Sequence, residues 1–430
     1  MTAEIAVMNK EAIALAADSA VTMTAEKIFT SANKLFTLSK YHPVGIMVYG
    51  SAIFMGVPWE TIIKIYRNEL GKNKFSALKE YANSFIDFLD NGNPLFPDSV
   101  QKEYLRISIH GYFDLIIKKQ IKERAGLRFD EKREVTGETI AQIVSETIKE
   151  NYELWRKSDN IPSIVKDYNS DLLHKYEKII DEVIKEVFEK LPLSKRDLNR
   201  LKKIAASFFS KFPKGIQKGG VSGVVIAGFG EEDSFPSLES FDIEGIANNK
   251  LKYQEYISKK VDFKRSSSII AFAQRKMVAT FMEGIDPDLR GHIEGYLSEI
   301  FDKYPEIIAQ NIKILDDNEK RLLKGKLKGV SNKIFKDYQE HVQTYRRKNY
   351  IDPVTRVVSV LPKDELAAMA ESLVNLTIFK LKVTMESETV GGPIDVAVIS
   401  KGDGFIWIKR KHYFKAELNP QFFANYYKEG

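Results

Sequence analysis

Residues 2–22, TAEIAVMNKEAIALAADSAVT, decide how the chain begins to fold. EIAVM (4–8) and AIALAA (12–17) flank the polar tripeptide Asn9-Lys10-Glu11, the pattern of two short strands joined by a tight antiparallel turn. Thr2 stands just before the first strand and Asp18 closes the second. An acid directly after Leu15-Ala16-Ala17, where a strand is still half-buried, calls for a cationic partner.

Outward from the hairpin, IFTSANKLFTL (28–38) and VGIMVY (44–49) are further strand candidates, and Gly50-Ser51-Ala52 interrupts them. From about Pro58 to Lys218 apolar residues recur every three or four positions, as in ETIIKIYRNEL and DLLHKYEKIIDEVIKEVFEKL, which predicts helices. RISIHGYFDLII (106–117) is ambiguous between helix and strand. Strand character returns in VSGVVIAGFG (221–230), FPSLESFDI (235–243) and SSIIAFA (267–273). A second helical block covers 288–349, and another helix follows Leu361, with Pro362, Asp364 and Glu365 suited to its first turn. IDVAVIS (394–400) and FIWIKR (405–410) read as a hairpin closed on Asp403-Gly404. The expected class is α+β: two antiparallel sheets stacked face to face, flanked by helices and carrying helical insertions.

Lys34 lies between apolar neighbours in Ala32-Asn33-Lys34-Leu35-Phe36 and calls for an anion, as Asp18 calls for a cation. Paired, the two would hold a positive charge beside Thr2. Removal of Met1 would give Thr2 a free α-amine, so that one residue could supply both a hydroxyl nucleophile and its general base. An α-amine has a reference pKa of about 7.7–8.0, low enough to be substantially neutral near pH 7, whereas a lysine amine sits at about 10.4. A nearby ammonium would favour the neutral amine and stabilise a deprotonated threonine oxygen. Gly50, at a strand end, could turn a bare N–H toward an oxyanion. Asp18 and Lys34 would serve equally well as a buried structural pair in a protein without activity.

In this register the chain resembles proteasome β-subunits, the HslV peptidase and their relatives among the Ntn hydrolases, in which an acid follows the N-terminal threonine by sixteen residues and a lysine by thirty-two. Thr2, Asp18 and Lys34 match without a gap. ALAADSAVT, Gly50-Ser51-Ala52, GVVIAGFG and VGGPIDVAVISKGDGFI (390–406) are similar to further phrases of that family. The resemblance implies a four-layer αββα sandwich with two mainly helical insertions. Residues 1–57, 219–285 and 352–430 would form the core, 58–218 core helices plus an insertion, and 286–351 a second insertion. It implies a threonine-type endopeptidase acting through an acyl-enzyme on Thr2, with Asp18, Lys34 and Gly50 in support. Val21, Thr22, Ala32, Phe36 and Val48 would line an apolar specificity pocket. It also implies a homo-oligomeric ring, with an ATPase unfoldase or other regulator as a further partner. An inactive scaffold or recognition subunit, and an amidase acting on a small amide, are the alternatives. The family's Asp and Ser before its Gly-Gly pair are replaced by Ser387 and Val390, with Glu386 and Glu388 nearby. A loop shifted by one residue would put Tyr49 at the oxyanion position instead of Gly50.

Composition narrows the alternatives. Cysteine is absent, which removes disulfides, thiolate nucleophiles and thiolate metal sites. A net charge of +6 on 430 residues is too diffuse to call for nucleic acid. The six histidines show no metal-ligand spacing, and neither metal nor cofactor is expected. Without an apolar run of about 18 residues no spanning helix is expected, and a cytoplasmic location with no membrane partner is the reading. Lys324, Lys326, Lys328 and Arg346-Arg347-Lys348 make the second helical block basic, a pattern read as a solvated face.

Overall fold

A computed structural model describes residues 2–24, 27–90, 92–132, 136–213, 220–384, 390–422 and 424, with backbone alone for 22–24, 27, 28, 131, 132 and 416. The opening segment forms β1 (Ala3–Asn9), β2 (Ala12–Ala17), β3 (Val21–Thr24), β4 (Lys27–Phe29), β5 (Leu35–Thr37), β6 (Val44–Tyr49), β7 (Ile53–Phe54) and β8 (Val57–Pro58). Helices follow: α1 (Trp59–Leu70), α2 (Leu78–Asp90), α3 (Asp98–Tyr112), α4 (Lys119–Lys132), α5 (Gly137–Lys157), α6 (Tyr168–Phe188) and α7 (Lys195–Phe208). Strands then return as β9 (Ser222–Gly228), β10 (Ser237–Ala247), β11 (Lys250–Lys260) and β12 (Ser267–Ala273). The rest of the chain supplies α8 (Lys276–Glu283), α9 (Pro287–Asn311), α10 (Asp317–Arg346), α11 (Asp352–Val358), α12 (Lys363–Val383), β13 (Asp395–Ser400) and β14 (Gly404–Lys409). The ambiguous 106–117 segment is helical, and Phe113–Lys118 continues α3 as a π-type turn.

Two five-stranded sheets result, in the orders β12-β1-β2-β13-β14 and β11-β10-β9-β6-β5. Every strand pair in them is antiparallel. Strand parity fixes how they stack, because successive side chains point to opposite faces. From β1, Ala6 and Met8 meet Leu35, Met47, Val225 and Ala227 of the other sheet in one apolar core. Ala3, Ile5 and Val7 point the other way, into a core shared with Leu366, Ala370 and Val374 of α12. On the far side of the second sheet, Ile46, Val48, Val224 and Ile226 pack against α1 and α2 through Ile62, Ile63, Ala82 and Phe85. Helices, sheet, sheet and helices therefore follow one another in contact. Helices α3, α5, α6 and α7 bury a further core among themselves.

Local chemistry explains the turns. Asn9 Oδ1 accepts from the N–H of Glu11 at 2.9 Å and of Ala12 at 3.2 Å, which closes the first hairpin without glycine. The β10–β11 hairpin turns on Asn248 and Asn249, at φ 49° and 57° with Ala247 opposite Lys250. Two left-handed residues make this a type I′-like turn, and asparagine tolerates that conformation best after glycine. The outward residues of β2 are Ala12, Ala14 and Ala16, all buried under α12. Having no bulk beyond Cβ, they let the helix lie close. Ala14→Leu is expected to lower stability by about 1–3 kcal/mol through overpacking, read as a drop in the urea midpoint with an unchanged slope.

One expectation is revised. The single strand foreseen over 28–38 is two short ones, because the chain leaves the β3–β4 ribbon at Thr30 to join the second sheet, so Lys34 sits just before β5. The basic residues of α10 lie on a solvated face, as expected, where Lys324 pairs with Glu306 of α9 at 2.9 Å and Lys328 with Asp302 at 3.3 Å. Among the described residues no helix is long and apolar enough to cross a membrane.

Candidate functional site

The hairpin, the turn after β2 and the approach to β5 converge on three side chains. Thr2 leads into β1 and is held by its backbone, the Thr2 carbonyl accepting from Gln274 N–H at 3.1 Å just beyond β12. Asp18 leaves β2 with its N–H on the Ala3 carbonyl at 3.1 Å. Lys34 is fixed by its own carbonyl, which accepts from Val48 N–H at 2.9 Å. All three side chains are buried, Thr2 with 2% of its surface exposed, Asp18 with 0% and Lys34 with 4%.

Lys34 Nζ donates to Thr2 Oγ1 at 3.1 Å and to Asp18 Oδ1 at 2.6 Å. Asp18 Oδ1 also accepts from Ala3 N–H at 3.0 Å, while Oδ2 accepts from Ala20 N–H at 3.1 Å and Gly391 N–H at 2.9 Å. A carboxylate has about four acceptor sites, and here four donors fill them. That saturation fits an ionised Asp18, since a protonated carboxyl would lose acceptor capacity. Burial pulls the Lys34 ammonium below its ordinary pKa, and Lys411 adds to that. Asp18, by charge and hydrogen bond, and Glu4, by charge, act in the opposite sense.

The turn is braced from the last strands. Ser19 N–H donates to the Gly391 carbonyl at 3.0 Å, and the Ser19 hydroxyl donates to the Pro393 carbonyl. Gly392, at φ 78°, lies against Thr30, whose carbonyl would be 2.6 Å from any Cβ placed there. VGGP is thus where the C-terminal part of the chain clasps the Asp18 turn.

Gly50 has φ 86°, and a Cβ on it would stand 2.5 Å from the Val221 carbonyl. Only glycine fits without a shift of backbone. No described hydrogen bond uses its N–H. Gly50→Ala is expected to cost about 1–3 kcal/mol in backbone strain, measurable as a lowered thermal midpoint. Tyr49, the other position considered for an oxyanion, is half-buried, and its ring stacks on Phe272 at 5.6 Å between centroids.

The structure brings Thr2, Asp18 and Lys34 into contact. It distributes the expected pocket residues more widely. Val21 is half-buried opposite Phe29, and Ala32 is half-buried with its N–H on the Ser19 carbonyl at 3.1 Å. Phe36 and Val48 point into the core shared with α1 and α2, the opposite face of the sheet from Leu35 and Met47. The Thr22 side chain lies outside the described residues, as do Glu386, Ser387 and Glu388. Val390 is buried in the α12-side core.

Glu4 escaped the reading of the sequence as a site residue. It is 0% exposed, and neither carboxyl oxygen has a hydrogen-bond partner among the described residues. The signal was its parity: Glu4 shares a strand face with Thr2, Ala6 and Met8, where every other position on β1 is apolar.

No family model and no curated protein matches the chain. Among solved structures, it is similar to the helical assembly of the Anbu complex from Pseudomonas aeruginosa, at 8% identity and a TM-score of 0.30, covering 99% of this chain and 95% of that one. It is also similar to Anbu, an ancestral β-subunit, from Yersinia bercovieri, at 9% identity and a TM-score of 0.26, covering 99% and 94%. Superposition this loose carries no argument about chemistry. The resemblance to proteasome β-subunits and HslV-type threonine peptidases is corrected by these findings. The structures matched are Anbu complexes, and no peptidase family model recognises the chain. Three residues in register describe a local constellation; they do not carry family membership over 430 residues.

Proposed function

We propose that the chain is an amide hydrolase whose nucleophile is Thr2 Oγ1. One observation carries the reading: a buried lysine, anchored by a fully hydrogen-bonded carboxylate, has its ammonium 3.1 Å from the hydroxyl of residue 2. Removal of Met1 would free the α-amine beside that hydroxyl. The amine, directly or through a water, takes the hydroxyl proton as Oγ1 bonds to the amide carbonyl carbon. Lys34 lowers the cost of the developing alkoxide by charge, and the Gly50 N–H is the candidate donor to the carbonyl oxyanion. The C–N bond breaks as the proton passes to the leaving amine. Water then cleaves the Thr2 ester and returns the proton to Oγ1. Asp18 touches no reacting atom in this scheme and acts as a positioning residue for Lys34.

Peptide bonds in proteins or peptides are the proposed substrates. In this reading the stacked sheets form a four-layer αββα core, interrupted by helical segments over 58–218 and 286–351, and copies of the chain associate so that the sites are enclosed.

Burial favours a second reading. Thr2 is 2% exposed, and the same ion pair would hold the fold together in a subunit without catalysis, one that serves an assembly as scaffold or recognition element. A panel of peptides and small amides, run on wild type and Thr2→Ala, separates the two. The hydrolase reading expects turnover of at least one substrate class by wild type and none by the variant. Equal rates, or none in either, favour the scaffold.

A further inference from the structure

Beyond Thr2, Asp18 and Lys34, the space between the sheets holds, among the described residues, a charged side chain that the fold does not explain. Glu4 lies two residues after Thr2, on the same face of β1, in register with Ala17 of β2 and Phe272 of β12. The remaining inward positions of β1 are Ala6 and Met8. An unpartnered carboxyl in such a place disfavours folding, and an apolar side chain would serve the core better. Natural sequences keep such groups chiefly where they act.

The charged groups that act on this region come from several packed elements. Lys34 before β5 and Asp18 after β2 both act on the Glu4 carboxyl by charge. Tyr49 of β6 feels Glu4 in turn, together with Asp242 of β10 and Arg275 at the start of α8. Burial raises the Glu4 pKa well above the carboxylate range; Lys34 opposes that rise and Asp18 adds to it. Tyr49 is pushed up to about 12, again chiefly by burial.

We propose that Glu4 is a positioning residue of the Thr2 site, a second buried carboxyl on the inward face of β1 that acts by charge on Lys34 and, through it, on the state of the Thr2 hydroxyl. Asp18 anchors Lys34 by contact. Glu4 adds a charge that comes and goes with pH. At low pH it is neutral, and Lys34 is held by Asp18 alone. As pH rises Glu4 ionises and keeps Lys34 protonated over a wider range. The inference rests on the hydrolase reading for its catalytic consequence, while the effect on Lys34 stands without it.

The test compares wild type, Glu4→Gln and Glu4→Asp by two measurements. The first is kcat and KM against pH on the best amide reporter. The second is NMR titration of ε-13C-labelled lysines, with the Lys34 resonance assigned by its loss in Lys34→Met. In Glu4→Gln the alkaline limb of kcat and the Lys34 midpoint should both fall by about one pH unit, the effect expected when an opposite charge is removed nearby. The two proteins should converge at acid pH, with KM little changed. Glu4→Asp should stay close to wild type. A folded Glu4→Gln protein whose Lys34 midpoint is unmoved overturns the proposal, as does a Glu4→Asp midpoint displaced as far as that of a glutamine variant. Should the protein hydrolyse nothing, the Lys34 midpoint still decides: its displacement supports the role of Glu4 while the hydrolase reading fails.

Discussion

Asp18→Ala is expected to lower stability by about 3–5 kcal/mol, the penalty for leaving one partner of a buried ion pair alone, and to abolish hydrolysis. The substitution strands the Lys34 ammonium, 4% exposed, between two packed sheets. It also removes the acceptor for three backbone N–H groups, those of Ala3, Ala20 and Gly391. Those bonds tie the start of β1, the turn after β2 and the VGGP segment to one point, so the loss reaches both ends of the chain. Equilibrium urea unfolding gives the stability and the substrate panel gives the rate. Asp18→Asn keeps the shape and part of the hydrogen bonding but not the charge. It is expected to recover much of the stability and little of the rate.

Lys34→Met should show the opposite division. Asp18 would keep three backbone donors, so its charge stays solvated by the fold, and methionine fills much of the space vacated by the lysine stem. A smaller stability loss than that of Asp18→Ala is expected, because the carboxylate left behind keeps its three backbone donors whereas a stranded ammonium has no charged acceptor within reach. The rate should fall by about 10²–10⁴, the usual range when a positioned group that manages a proton or a developing charge is removed. Thermal midpoints and kcat/KM on one preparation measure both. Parallel losses in Asp18→Ala and Lys34→Met would mean that the pair is structural, because the contrast depends on Lys34 acting on Thr2 rather than on the fold.

Glu4 supplies a stability prediction of its own. The folded protein raises the Glu4 pKa above the ordinary carboxyl value, so between the two values the folded state holds a proton that the unfolded state has lost. Stability attributable to this group is therefore greatest below the unfolded pKa, near 4.3, and declines as pH rises toward the folded one. Glu4→Leu should consequently unfold at a higher temperature than wild type at pH 8, with a smaller difference at pH 4. Thermal melts at the two pH values measure the contrast; an equal or reversed difference would contradict the burial of an unpartnered carboxyl.

The hairpin at 2–22 was legible because two short apolar runs flank a polar tripeptide and Asn9 can close a turn with its own side chain. Asp18 and Lys34 were legible for a similar reason: each is a charge set among apolar residues, and each needs the other. Their contact with Thr2 needed the fold, since Lys34 approaches from the second sheet and no local pattern says which sheet faces which. Strand β11 was missed although Asn248-Asn249 can take the left-handed conformation that a two-residue turn needs. Its sequence, KLKYQEYISKK, is largely polar, because the strand is exposed toward its C-terminal end. The break at Thr30–Lys34 was hidden by apolar residues on both sides. Glu4 stood in the sequence only as the first residue of a strand, whereas its parity with Thr2 already placed it at the site.

The most direct test of the central claim is intact-mass analysis of purified wild type and Thr2→Ala after incubation with a threonine-directed covalent inhibitor. The proposal predicts wild-type protein lacking Met1 that gains the mass of one inhibitor, mapped by fragmentation to residue 2, and a Thr2→Ala variant that gains none. Wild type that retains Met1, or that is labelled no more than Thr2→Ala, would contradict it.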